Sequence, residues 1–258
     1  MRVLPDIEQL ALFFLALARI TAFFIAGPFF SLRNIPATVK VGLSLMVALT
    51  VFPLIGPEYE AASLDGWAYI FALVRETLVG LAIGYTASLL LVAVVYAGSL
   101  MDIHIGFFMS QIFDPLSGSM AGILSRFMYL LGMAALLAFN GHHLIIAALV
   151  NSFQLVPLNT AQVTGASALF LIKIFAQMLT IGVQIAAPLV AVMLIIDVTM
   201  GLIARTAPQI NVFMLGFPVK ITAGLITLSV MVPVLARIIY SLCDIIEKDI
   251  TILLKGLT

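Results

Sequence analysis

Charge is scarce in this chain. Asp, Glu, Lys and Arg make up 9% of its 258 residues, against about 25% in ordinary soluble domains. So few charges cannot cover the surface of a soluble protein of this length, and a chain this apolar is not intrinsically disordered. The 12 basic and 12 acidic residues cancel, which leaves no basic footprint for nucleic acid. Cysteine is almost missing too. Cys243 stands alone, so an intrachain disulfide is excluded, and it reads as a small apolar residue near the end of the last helix. HExxH, CxxC and Walker A patterns are lacking. His142 and His143 in "FNGHH" are adjacent, about 100° apart on a helix, and make a poor metal pair. "DIH" at Asp102–His104 has no nucleophile motif beside it. Both read as polar helix ends. The sequence therefore offers no metal site, no cofactor site and no case for an enzyme.

What the chain does have is apolar length. It is 63% hydrophobic, with a mean hydropathy of +1.23, which points to a membrane, a large hydrophobic assembly, or both. "MRVLPDIEQL" lacks the form of a secretory signal, and the run Leu10–Phe30 reads as a retained helix. Val41–Ile55 is short for a span. Trp67–Met101 is long. Phe127–Ile172 holds no Asp, Glu, Lys or Arg and carries the polar middle "NSFQLVPLNTAQVTG", so it reads as a helix–turn–helix hairpin whose second arm continues through Ile196. Ile221–Ala236 is the last uncharged run, followed by an amphipathic tail with Ile245, Ile246, Ile250 and Leu253 at helical spacing. Strand alternation is absent, which argues against an outer-membrane barrel. The expected fold is all-α, with nominally six hydrophobic segments in a single domain, 1–258. Residues 1–125 would form N-terminal helices and 126–258 helical hairpins. Lys/Arg bias between loops is too slight to orient it firmly.

Several charges stand where charges are expensive. Arg19, Glu76, Lys173, Asp197 and Arg237 lie within or at the edge of apolar runs, where an unpaired charge costs roughly 3 kcal/mol. Each needs a partner, a wet cavity or a place outside the hydrocarbon; assembly contacts and an ion pathway are both open. Asp197 and Arg205 share a face if the helix reaches Arg205. Gly80 and Gly84 in "GLAIG" have the spacing that lets helix backbones approach closely, within the chain or between subunits.

Two stretches interrupt the apolar runs. In "IGFFMSQIFDPLSGSMAG", residues 105–122, Pro115 disfavours helix at Asp114, and Gly118 and Gly122 loosen the rest of the segment. Such a segment is costly in lipid, so it must be buried in protein or line an aqueous lumen. Bulky Phe and adaptable Met suit a constriction, and ordinary interhelical packing is the other reading. In "ARTAPQINVFMLGFPVK", residues 204–220, Pro208 and Pro218 read as helix punctuation and Gly216 as a stop. Gln209 and Asn211 can hydrogen-bond released backbone. Arg205 and Lys220 flank the bend, where snorkelling or an acidic partner satisfies them.

The pattern Arg-x-x-Pro-Gln-x-x-x-Phe-x-x-Gly-Phe-Pro in that last stretch, which includes Phe213, resembles the signature of the FliR family of the type III export gate. "MDIHIGFFMSQIFDP" with "RFMYLLGMAALLAFNGHHLII", and "GPFFSLRNIPATVKVGLSLMVAL", resemble the family's middle and N-terminal regions, so the likeness spans nearly the whole chain. The resemblance implies a non-enzymatic subunit of the flagellar export gate in the bacterial inner membrane, within the flagellar basal body. FliP and FliQ would be its partners, FlhB and FlhA further ones, with unfolded export substrates in the pore and lipid around it. An injectisome subunit, or a stand-alone secondary transporter with broken helices, is the alternative. It implies FliP-like and FliQ-like helical hairpins stacked around a pore, part of them above the bilayer, so run lengths need not match lipid thickness. It also implies a pore-plugging loop over Gly106–Gly122, with Phe107, Phe108, Met109, Ile112 and Phe113 as the constriction, and a hairpin bend at 204–220.

Overall fold

Long apolar runs bounded by proline, glycine and polar turns build the chain almost entirely from helix. A computed structural model describes residues 7–28, 35–54, 66–107, 122–162, 165–209 and 211–257. Among them are α1 (Ile7–Ala26), α2 (Ala37–Val51) with a 3-10 turn at Phe52–Leu54, and α3 (Gly66–Ile105). Then come α4 (Ile123–Ala138), α5 (Gly141–Leu155), α6 (Gly165–Thr206) and α7 (Val212–Lys255). No strand occurs among the described residues.

The starts and stops obey local chemistry. Pro36 precedes α2 at the N-cap position, with extended backbone, φ −57° and ψ 145°; a missing N–H costs nothing there. α4 and α5 are separated by Asn140, which takes the left-handed conformation (φ 57°, ψ 23°) that Asn tolerates better than most side chains. Asn211 starts α7: its side-chain oxygen accepts from the Met214 N–H at 3.2 Å, an N-cap contact.

The chain sorts into two compact units. The first comprises residues 1–89, 140–175 and 243–258, the second 90–139 and 176–242. In the first, α1 lies hard against α3. A Cβ on Gly80 would overlap the Arg19 carbonyl oxygen, and one on Gly84 would lie 2.8 Å from the Ala26 Cβ. The glycine pair therefore serves contact within the chain, around a core that includes Leu15, Ile20, Phe23, Ile83 and Leu149. In the second unit, Met101, Ile105, Met128, Ile185 and Leu189 are fully buried.

Four helices are long and apolar enough to cross a membrane, or five if the bent pair α4–α5 makes one span, among the described residues. The nominal count of six rests on runs of sequence, and several runs merge. Ile221–Ala236 and the amphipathic tail are one 44-residue helix, α7. The 127–172 region does turn at 156–160, but its first arm is also broken, at Phe139–Asn140. Pro218 and Gly216 lie inside α7 instead of ending a helix. Proline deprives one carbonyl of its partner, whereas stopping the helix in apolar surroundings would strand several backbone groups.

At 1.5 Å per residue, α3, α6 and α7 each run about 60 Å or more, twice the hydrocarbon thickness of about 30 Å. Their coverage differs. Over its apolar stretch α3 is 61% buried, while α6 and α7 are each 28% buried. Ile195, Val198, Leu202, Met214 and Val230 stand more than half exposed. Lipid or other protein must cover these faces.

Candidate functional site

The last turn of α3 begins the segment singled out in the sequence. Gly106 has φ +98°, a conformation natural only to glycine, and its N–H donates to the Asp102 carbonyl at 3.1 Å. This is the usual glycine exit from a helix. Glycine is required for a second reason: a Cβ here would meet Phe217 Cε1 at 2.9 Å. The Phe217 ring of α7 thus sits on the Gly106 backbone. Beside it lies a cavity of about 310 Å³ lined by Ile105, Gly106, Asp197, Gly216, Phe217 and Lys220, among others. Asp197 of α6 and Lys220 of α7 form an ion pair on its rim. Within the second unit, the end of α3 and the first turns of α7, which are far apart in sequence, therefore meet.

The other end of the segment returns to the same helix. Gly122 is the N-cap residue of α4 and has no side chain to cap with. Asp102 supplies the cap instead. Its Oδ1 accepts from the Leu124 N–H at 2.9 Å, and its Oδ2 from the Ser125 N–H at 2.9 Å and the Ser125 hydroxyl at 2.8 Å. That hydroxyl also lies 3.0 Å from the Ser99 hydroxyl, one turn back on α3. Asp102 is 2% exposed. A buried carboxylate is tolerated when hydrogen-bonded, and the positive end of a helix favours an anion.

The first unit holds a different polar cluster. Arg19 and Glu76 are fully buried and paired, Nε to Oε2, at 2.5 Å. Arg19 Nη1 also donates to the carbonyls of Ser152 (3.1 Å) and Val156 (2.9 Å) at the C-terminal end of α5. Glu76 Oε1 accepts from the Asn159 N–H at 2.8 Å, and Asn159 itself has φ 65°. One ion pair thus fastens α1, α3 and the α5–α6 turn, satisfying carbonyls that a helix end leaves open.

The remaining residues picked from sequence are distributed across the chain. Phe107 is half-buried, directly after Gly106. Phe108, Met109, Ile112, Phe113, Asp114, Pro115 and Gly118 lie outside the described residues. Arg205 lies in the last turn of α6 and is exposed, and Pro208 and Gln209 form the exposed turn after that helix. Phe213 lies in the first turn of α7, and Pro218 is exposed on that helix. Lys173 and Arg237 are exposed on the chain's own surface. No group of three metal-ligating side chains is found among the described residues. The capping of the Leu124 and Ser125 N–H groups by Asp102 is not visible in the sequence motifs. The signal is slight: a glycine N-cap offers no side-chain acceptor of its own, which leaves the first N–H groups of the helix open to one from elsewhere.

Similarity to known proteins covers nearly the whole chain. Residues 10–245 match the family described as bacterial export proteins, family 1. The chain is similar to flagellar biosynthetic protein FliR of Bacillus subtilis (strain 168), 34% identical over 234 residues covering 89% of each chain. It is similar to FliR of Escherichia coli (strain K12), 30% identical over 230 residues, 89% of this chain and 87% of that one. It is also similar to FliR of Aquifex aeolicus (strain VF5), 29% identical over 228 residues, 88% of each.

Proposed function

We infer the role of this chain from its membership: it belongs to the FliR family, the bacterial export proteins of family 1. It is a component of a flagellar export apparatus, with helices apolar enough to lie in a membrane. We propose, more finely, that it is a non-enzymatic channel subunit of the inner-membrane export gate in the basal body. It would assemble with FliP and FliQ, and with FlhB and FlhA nearby, around a pore for unfolded flagellar proteins. Residues 106–122 would seal that pore. Similarity to flagellar relatives favours this over an injectisome role.

The observation that carries the proposal is the return of the chain to its starting point. It leaves α3 at Gly106 and re-enters helix at Gly122, both within reach of Asp102. The Phe and Met content of the intervening residues suits a constriction. The poorly covered faces of α6 and α7, with Lys173, Arg205 and Arg237 exposed on the chain, suit burial against neighbouring subunits.

The test is to shorten the segment between residues 108 and 121 and to express the chain with its apparatus. The complex should still co-purify with FliP and FliQ, and the membrane should leak ions. A shortened gate that assembles and stays as tight as the parent rules the seal out.

A further inference from the structure

The poorly covered faces of α6 and α7 carry a feature that lipid does not satisfy. Pro188 lies inside α6 and Pro233 inside α7. A proline has no N–H, so the carbonyls four residues earlier, at Gln184 and Ser229, lose their helical donors. All four residues are exposed on the chain, and residues four apart share a helix face. We propose that these two carbonyls are docking points for helices of neighbouring subunits. Each receives a hydrogen bond from an apolar helix that carries a donor side chain, such as Ser, Thr, Asn or Gln, at that height. This rests on the reading of the chain as one subunit of a larger assembly, and it makes protein, not lipid, the cover of these faces.

The two openings stand at one level. Asp197 pairs with Lys220, and a Cβ on Gly224 would lie 3.6 Å from Met193 Cε. The second contact is one step further along both helices, in opposite chain directions, so α6 and α7 run antiparallel in a fixed register within the second unit. In that register Pro188 is level with Ser229, and Gln184 with Pro233. Both levels fall inside the uncharged runs 174–196 and 221–236. Gln184 and Pro233 lie about two and a half turns from the Met193–Gly224 contact. They are therefore on the far sides of their helices from it, in agreement with their exposure. The nearby hydroxyls are engaged elsewhere: Thr180 donates to the Ala176 carbonyl at 3.0 Å and Ser229 to the Leu225 carbonyl at 2.8 Å. Lipid tails carry no donor, and an unpaired carbonyl facing hydrocarbon is costly. A neighbouring helix supplies both apolar surface and a donor, which is how polar side chains join helices in membranes. The exposed Gln184 amide, beside the first opening, can donate and accept in return.

The test uses the full complex, purified and returned to phosphatidylethanolamine–phosphatidylglycerol vesicles. A benzophenone amino acid replaces Ala187 or Val230, both exposed beside the openings. Light should attach each to a peptide of another subunit, with a donor side chain within one turn of the attached residue. Attachment to lipid, to the chain itself alone, or to nothing overturns the proposal. The second measurement restores the missing N–H. P188A and P233A give each carbonyl a donor within its own helix, a change that favours the helix itself. Apparent affinity for neighbouring subunits, read from survival of the complex on dilution into detergent, should nevertheless fall about threefold to tenfold per site, as for one interhelical hydrogen bond. An affinity unchanged or raised in both variants overturns the docking while the subunit reading stands. A parent chain that purifies with no other subunit overturns the subunit reading, and the docking with it.

Discussion

The ion pair of the first unit and that of the second join helices with the same two kinds of group, and they differ in everything else. Arg19 and Glu76 are 0% exposed, and each has further hydrogen bonds to backbone. The Arg19 guanidinium also lies 4.6 Å from the Phe153 ring centre. Lys220 and Asp197 are 23% and 44% exposed at the side chain. A sealed pair is part of how this chain holds its own helices, since neither charge has anywhere else to go. An open pair contributes little within the chain and remains available to whatever covers α6 and α7.

The comparison is broken most directly at Arg19. R19M or E76Q leaves the other charge, or its backbone partners, buried without a counterpart, a loss of about 3–5 kcal/mol. Accumulation in the membrane should collapse, and thermal unfolding of the purified complex should shift far down. The double replacement R19M/E76L should recover much of that loss, because a well-packed apolar pair of similar volume can substitute for a buried ion pair. A double variant as unstable as the sum of the singles would show that the helix-end carbonyls at Ser152 and Val156, not the pairing, are what Arg19 serves.

A smaller effect sharpens the same site. G80A places a methyl group onto the Arg19 carbonyl oxygen, so α1 and α3 must part. Overpacking of this kind costs typically about 1–3 kcal/mol. Gly66, with nothing within 4 Å of its would-be Cβ, is the control. Thermal melts of the two alanine variants should separate clearly, and equal melts would mean that α1 yields without cost.

These residues also mark where the sequence is legible and where it is not. Composition points to a lipid- or assembly-embedded chain, the apolar run lengths and missing strand alternation point to helices, and the GxxxG spacing of Gly80 and Gly84 points to close helix contact, which the structure locates between α1 and α3. Arg19 and Glu76 are recognisable as misplaced charges. Their pairing is not, because 57 residues separate them and nothing local encodes which helix returns beside which. Asp197 can be aligned with Arg205 along one helix, yet its partner is Lys220, which lies on the next helix, α7. Asp102 reads as an ordinary helix end for the same reason: its meaning lies in α4, which begins at Ile123. Proline and glycine mislead at Pro218 and Gly216, where local preference favours a stop and the apolar surroundings favour unbroken helix.

The least disruptive change tests the other half of the comparison. K220A removes a partly exposed cation, and such a pair is worth about 0–1 kcal/mol. The melting temperature of the complex should barely move, and the small difference should shrink further in high salt. The charge swap D197K/K220E then separates two uses of the pair. If the two groups serve only each other, the swapped chain assembles and exports as the parent does. If neighbouring subunits read these charges on the exposed face of the bend, the swapped chain remains stable but co-purifies less FliP or FliQ, because attraction across that interface becomes repulsion. A K220A variant as unstable as R19M would abolish the distinction itself: the rim of the 310 Å³ cavity would then be as closed to water as the Arg19 site, and the second pair would belong to the fold of the chain.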